Sequence, residues 1–102
     1  MQKKMPETEY RASRICRILG NPTAYKIIKV LSKSKKSPSE LAEEIGLSLP
    51  LVSFTLRTLR NIDLVRYDTK GNNKVYWLKN KSVSDICRAL ENLVSLMRQK
   101  NW

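Results

Sequence analysis

SELAEEIGLSLPLVSFTLRTLRNIDLV, residues 39–65, is the stretch that decides the fold predicted for this sequence. Ser37 just before it and Glu40 within it have the spacing of a capping box, which predicts a short helix that ends at Gly46. Ser48 is then the N-cap of a second helix, only two residues after the glycine. A short helix, a tight turn containing glycine and a second helix are typical of a helix-turn-helix.

The second helix carries apolar side chains on two faces. Val52, Leu56 and Leu59 share one narrow stripe at about 100° per residue, and this is the side predicted to be buried. Phe54 lies nearly opposite that stripe, beside Arg57. An apolar side chain on the outer face indicates that this face meets something other than water.

Two short strands and a long helix follow the helix pair. Residues 64–68 (LVRYD) and 74–78 (KVYWL) are rich in β-forming side chains, and residues 69–73 (TKGNN) are suited to a hairpin turn. Residues 82–100 have apolar side chains at helical spacing and predict an amphipathic helix. A hairpin that directly follows a helix-turn-helix is interpreted as a wing.

Two further helices are predicted before the helix pair, over residues 7–19 and from Pro22 to about residue 33. The sequence therefore predicts one domain over residues 1–102. Its fold class is mainly α with a small β-hairpin, arranged as a winged helix-turn-helix with four helices, two strands and a fifth helix.

The charge of the chain favours a polyanionic partner. Twenty Lys and Arg against 9 Asp and Glu give a net charge of +11 and a pI near 10.0. Lysines that merely keep a small protein soluble are the alternative explanation. The charge is sorted along the chain, because residues 37–52 contain no Lys or Arg whereas residues 53–81 contain seven. This sorting favours nucleic acid.

Several classes of function have no support in the sequence. There is no histidine, the two cysteines form no CxxC pattern, and neither a phosphate-binding loop nor a GxGxxG turn is present. We therefore expect no enzyme activity, no cofactor and no metal site. No apolar run is long enough to span a membrane and the N-terminus lacks a signal-peptide core, which predicts a cytoplasmic protein without membrane contact.

Three segments together resemble the ArsR (ArsR/SmtB) family of winged-helix repressors. They are LGNPTAYKIIKVL at residues 19–31, the stretch at 39–65, and KGNNKVYWL at 70–78. The resemblance implies that the helix over residues 49–60 enters the major groove of double-stranded DNA and that the wing touches the neighbouring backbone or minor groove. It also implies a homodimer held by the first and last helices, over about residues 7–19 and 82–100.

The candidate site residues follow from that resemblance and from the helical wheel. On the recognition helix they are Ser48, Pro50, Leu51, Ser53, Phe54, Thr55 and Arg57. On the wing they are Arg66, Lys70, Asn72, Asn73 and Lys74. The candidates for the dimer interface are Ala12, Ile15, Leu19, Ile86, Leu90, Leu93 and Met97. Arg60 is expected nearer the buried side, and Arg11, Arg14 and Arg17 are interpreted as a solvated stripe.

The chain departs from the metal-sensing members of the family. Many members bind metal through a CxC at the start of the third helix, where this chain has Ser37 and Ser39. Others bind zinc on the last helix, at offsets that correspond here to Asp85, Cys87, Arg98 and Asn101. Neither set supplies enough ligands, so a small-molecule effector stays unidentified. The apolar head of the recognition helix likewise leaves the DNA sequence open.

The residues also allow two other functions and one redox switch. The net charge would also suit an architectural protein that coats DNA without sequence choice, and the face of Leu51 and Phe54 would also suit docking on a partner protein. Cys16 and Cys87 both lie on predicted apolar faces, which indicates buried, inert thiols. A disulfide between them that alters the dimer is the alternative.

Overall fold

The computed structural model of the chain describes residues 4–99 as five helices and one β-hairpin. The elements are α1 (Glu7–Leu19), α2 (Pro22–Leu31), α3 (Pro38–Ile45), α4 (Leu49–Asn61), β1 (Val65–Lys70), β2 (Asn73–Leu78) and α5 (Ser82–Met97). The predicted order of elements is confirmed. The last helix was predicted to reach about residue 100, whereas α5 ends at Met97 and residue 100 lies outside the described residues.

Helix α2 is the centre of the core. It packs against α1, α3, α4, α5 and β2. Ile27 and Ile28 have no exposed surface, and they meet the inner stripe of α4, in which Val52, Leu56 and Leu59 are also fully buried. Burying apolar side chains of this size stabilises the fold by about 1.5–3 kcal/mol each. The predicted inner face of α4 is therefore confirmed.

The turn between α3 and α4 is fixed by local hydrogen bonds. The Glu40 backbone N–H donates to Ser37 Oγ at 3.1 Å, and the Ser37 N–H donates to the Glu40 carboxylate at 2.8 Å, which completes the predicted capping box. The hydrogen bond from the Ser37 backbone N–H lowers the pKa of the Glu40 carboxyl. Gly46 then ends α3 with a φ of +79°, a conformation that strongly favours glycine. Ser48 caps α4 by accepting from the Leu51 N–H at 3.4 Å.

The wing is a regular antiparallel hairpin. Val65 pairs with Leu78 at its base and Lys70 pairs with Asn73 at its tip, so that only two residues form the turn. Gly71 supplies the positive φ, +60°, that such a turn requires. The segment before α3 anchors the base, because Lys36 exchanges backbone hydrogen bonds of 3.1 and 2.8 Å with Tyr76.

Helix α5 is fixed to α2 along one side. Val83 and Cys87 are buried, and the Tyr25 hydroxyl donates to Glu91 Oε2 at 2.5 Å while lying 3.2 Å from the Cys87 carbonyl oxygen. The Lys29 ammonium is 2.9 Å from the same carboxylate. The hydroxyl and the ammonium lower the pKa of Glu91, and the hydrogen bond to Glu91 raises that of Tyr25. Among residues 4–99, no helix has the length and apolar character needed to cross a bilayer.

The lowered pKa of Glu91 predicts a dependence of stability on pH. Charged Glu91 contributes stability that is fully present above its ordinary pKa of 4.5 and is lost as the pH falls through the lowered value of the folded state. Glu91→Gln should therefore lower the urea midpoint at pH 7, and its difference from the wild type should shrink at pH 3. Glu43→Gln is the control, since Glu43 is exposed and forms no ion pair within residues 4–99. A difference that stays constant between the two pH values would contradict this role of Glu91.

Candidate nucleic-acid interface

The outer face of α4 is open to solvent over its first two turns. Phe54 is 61% exposed and Leu51 is 41% exposed, although α4 buries three large apolar residues on its other side. Arg57 and Pro50 are exposed beside them. The helical wheel thus predicted the direction of these side chains correctly, and the apolar outer face is covered by no other part of residues 4–99.

Thr55 does not belong to this face, so its prediction as a DNA contact is wrong. The side chain is only 8% exposed, and its hydroxyl donates to the Leu51 carbonyl oxygen at 2.8 Å. Because this side chain is buried and its hydroxyl proton is already donated within the helix, Thr55 has no proton to offer to DNA. Ser53, on the flank of the outer face, is half-buried.

The predicted wing residues fall into two groups. Lys70, Asn72 and Asn73 are exposed at or beside the tip of the hairpin. Arg66 is also exposed, but its guanidinium lies 3.0 Å from the Asp63 carboxylate. The fifth residue, Lys74, has its ammonium 4.7 Å from the centre of the Tyr67 ring.

Tyr67 was not among the residues predicted from the sequence, yet it links α4 to the wing. Arg60 holds its guanidinium carbon 4.8 Å from the ring centre, and the Lys74 ammonium also lies over the ring. Tyr76, the cross-strand partner of Tyr67, packs 5.1 Å away between ring centres. The expectation that Arg60 lies nearer the buried side is wrong, because the residue is exposed and its guanidinium stacks on this ring. The available signal was the β register, which puts Tyr67 and Tyr76 directly opposite one another.

The charges around this surface leave arginines without acidic partners. Asp63 is held by the Lys79 ammonium and by Arg66, and both lower its pKa, the hydrogen bond from Lys79 most strongly. Arg57 and Arg60 form no ion pair within residues 4–99. Their charges are therefore available to a polyanion.

The residues predicted for the dimer interface differ in how exposed they are. Ile86, Leu90 and Leu93 are each 43% exposed and Met97 is 52% exposed, so α5 presents an apolar strip to solvent. On α1, Ala12 is exposed and Ile15 is half-buried. Leu19 is only 5% exposed and packs in the core of its own chain, so its assignment to a dimer interface is wrong. The physical reason is that the last turn of α1 leads straight into α2.

The two cysteines lie in different environments. Cys87 is fully buried, as predicted, and desolvation raises the pKa of its thiol. Cys16 is exposed, so the expectation that it is buried is wrong. Both thiols are free, and the buried Cys87 is a poor partner for disulfide exchange.

Residues 4–99 contain no group of three or more Cys, Asp or Glu side chains that could hold a metal ion. Asp85, at the start of α5, is instead paired with Arg88 at 3.0 Å. Asn101, the last of the zinc positions considered from the sequence, lies outside the described residues.

The sequence pattern described as "Bacterial regulatory protein, arsR family" matches residues 21–67, from the N-cap of α2 into β1. This region of the chain is an arsR-family helix-turn-helix. The ArsR-family region contains the whole of α4 and its outer face.

One curated relative of this chain is named as a transcriptional regulator. The uncharacterized HTH-type transcriptional regulator MJ0229 of Methanocaldococcus jannaschii is 46% identical over 50 residues, which cover 49% of this chain and 53% of that protein. The chain spans little more than half the length of the curated relatives that it matches.

Solved structures share the fold over nearly the whole chain. NolR from Sinorhizobium fredii is 28% identical with a TM-score of 0.78, and the match covers 91% of this chain and 96% of NolR. Mb0332 of Mycobacterium bovis (fragment 1-100), described as a homodimeric winged helix-turn-helix DNA-binding domain, has a TM-score of 0.77 at 17% identity. That match covers 93% of this chain and 91% of the fragment, and at this identity it shows the fold alone.

Exposure on α4 predicts which of its residues contribute to stability. Phe54→Ala should change the free energy of unfolding little, because the ring is 61% exposed. Leu56→Ala, at a fully buried position of the same helix, should cost about 2–5 kcal/mol. Urea denaturation followed by circular dichroism measures both. A loss for Phe54→Ala as large as that for Leu56→Ala would mean that Phe54 is part of the core.

Proposed function

We propose that the chain binds double-stranded DNA sequence-specifically as a homodimer and regulates transcription, acting as a repressor. The observation that carries the proposal is the exposed outer face of α4, with Leu51, Phe54 and Arg57 directed away from the core. A helix that buries one face and leaves large apolar side chains on the other needs a partner for the second face. In a helix-turn-helix this face enters the major groove.

Each part of the surface suits a different part of the duplex. Phe54 and Leu51 would contact thymine methyl groups, which only the major groove presents. Arg57 would bind a phosphate or a guanine edge, and the Ser48 hydroxyl at the start of α4 would bind the backbone. Lys70, Asn72 and Asn73 would bind the phosphates beside the wing.

The relatives support a regulatory role. MJ0229 carries the name of an HTH-type transcriptional regulator and is 46% identical to this chain over 50 residues. The description of Mb0332 as a homodimeric DNA-binding domain is consistent with the same assembly, at the level of the fold. A transcriptional regulator of this kind would act in the cytoplasm, and DNA binding itself requires no catalysis.

A second copy of the chain suits the apolar strip of α5. Ile86, Leu90, Leu93 and Met97 repeat at helical spacing on the side of α5 that does not face α2, and α1 adds Ala12 and Ile15. A dimer built on these helices would place the two α4 helices in successive major grooves, about 34–36 Å apart. Occupancy of a pseudo-palindromic site would then block polymerase.

DNA binding is tested by selection followed by measurement of affinity. Repeated binding to a pool of random duplexes should enrich a pseudo-palindrome with half-sites about 10 base pairs apart. By fluorescence anisotropy at fixed, near-physiological salt, the selected duplex should bind ~10³-fold more tightly than a scrambled duplex of equal composition. If each protomer neutralises about three phosphates, the slope of log affinity against log salt should be roughly −5.

Phe54→Ala distinguishes sequence recognition from general attraction. It should lower the ratio of selected to scrambled affinity by about tenfold, because it removes base contacts and no charge. Equal, tight binding of both duplexes by the wild type would instead indicate an architectural protein that coats DNA. Binding to neither duplex would leave the outer face of α4 as a surface for a partner protein.

The dimer is tested by placing a charge on the exposed strip of α5. Leu93→Asp should convert a dimer into a monomer in sedimentation velocity, because burying an unpaired carboxylate in an apolar interface is unfavourable. Asn92→Asp adds the same charge at the neighbouring exposed position outside the strip and should stay dimeric. A wild type that sediments as a monomer at all concentrations would contradict the proposed assembly.

A further inference from the structure

The arginines of α1 form a charged stripe that the proposed contacts leave unused. Arg11, Arg14 and Arg17 are exposed and lie three residues apart along α1. Like charges at this spacing destabilise a helix by a few tenths of a kcal/mol per pair. Within residues 4–99 none of the three forms an ion pair, whereas Arg66 and Arg88 each do. The stripe therefore has an energetic cost and no ion-pair partner in the described part of the chain.

Two of these arginines share a groove with the recognition helix. Arg14 and Arg17 line it together with Thr58 and Asn61 of α4. The groove has a volume of about 420 Å³ and is open to solvent, so a phosphate group can enter it. Arg14 lies over the ring of Tyr10, another residue of the groove, with its guanidinium carbon 6.0 Å from the ring centre.

The groove is continuous with the outer face of α4. Thr58 follows Phe54 by four residues, and Asn61 follows Arg57 by four, so both lie on the same side of the helix as the proposed base contacts. Two acids lie near the stripe: Asp63 lines an adjoining groove with Arg11 and Arg14, and Glu7, in the first turn of α1, lines another with Arg11. Because Lys79 and Arg66 already neutralise Asp63, the positive potential at this end of α4 is not cancelled.

We propose that α1 is a third DNA-contact element, in which Arg14 and Arg17 bind phosphates of the duplex that α4 enters. The guanidinium group suits this role because its planar N–H donors match a phosphate in bidentate geometry. The inference rests on the proposed DNA binding and extends it to a helix otherwise assigned to the dimer. With α1 at the dimer seam, these arginines contact the backbone between the two half-sites, where they contribute affinity without reading bases.

The test combines a double variant with the salt dependence of binding. With two α1 contacts added to the three per protomer counted above, the wild-type slope of log affinity against log salt becomes roughly −9. Arg14→Gln/Arg17→Gln removes those two phosphate contacts from each protomer, so the slope should become less negative by about 3–4 for the dimer. Affinity should fall equally for the selected and the scrambled duplex, which leaves their ratio unchanged. This pattern is the opposite of that expected for Phe54→Ala. Unchanged urea midpoints and dimer mass verify that the fold is intact.

Two further variants keep the test specific. Arg88→Gln/Arg98→Gln removes the same charge from the other terminal helix region and should retain most of the wild-type slope. Arg14→Lys/Arg17→Lys keeps the charge and should restore most of the lost slope. If the α1 variant changes slope and affinity no more than the Arg88/Arg98 variant, the proposal is overturned while DNA binding stands. Failure of the wild type to bind any duplex would overturn both.

Discussion

The rotational setting of α4 is the constraint on which the rest of this surface depends. Val52, Leu56 and Leu59 are fully buried against α2, and a helix locked by three buried side chains cannot turn about its axis. The positions of Leu51, Phe54 and Arg57 then follow from helical geometry alone. The core thus determines which side chains are offered to a partner, although none of those three side chains is part of it.

Two sets of contacts connect the recognition helix and the core helix α2 to the wing and to α5. Tyr67 carries Arg60 from α4 and Lys74 from β2 over one ring, so the wing and the recognition helix share a contact. On the far side of α2, the carboxylate of Glu91 holds α5 through Tyr25 and Lys29. Because both connections run through α2 or α4, the distance between two recognition helices in a dimer would be set by packed elements and not by loops.

Ion pairs determine where unpaired positive charge lies on this chain, as much as the number of basic residues does. The net charge of +11 is a property of the whole sequence, but part of the positive charge is taken up by carboxylates, as at Arg66, Arg88 and Lys29. Surface pairs of this kind contribute little to stability. Their effect is instead to direct the remaining charge, which leaves Arg57 on α4 and the α1 arginines unopposed on neighbouring surfaces. A polyanion would therefore meet these unpaired arginines and not a uniform positive surface.

The sequence by itself determined the elements of this protein and much of their orientation. The capping box at Ser37, the glycine at position 46 and the 3.6-residue repeat are local signals, because each depends on residues a few positions apart. They predicted the helix-turn-helix, the wing and the outward direction of Phe54 correctly.

Only the tertiary structure decided whether residues at the edge of a helix's apolar face are buried by other elements. Thr55 is buried because neighbouring elements close over the flank of α4, and Leu19 is buried because α1 turns directly into α2. Cys16 stays exposed because residues 4–99 place no element over that side of α1. The groove that joins α1 to the end of α4 depends on packing between segments about 40 residues apart. Local periodicity cannot specify such contacts, since they depend on how whole helices are placed against one another.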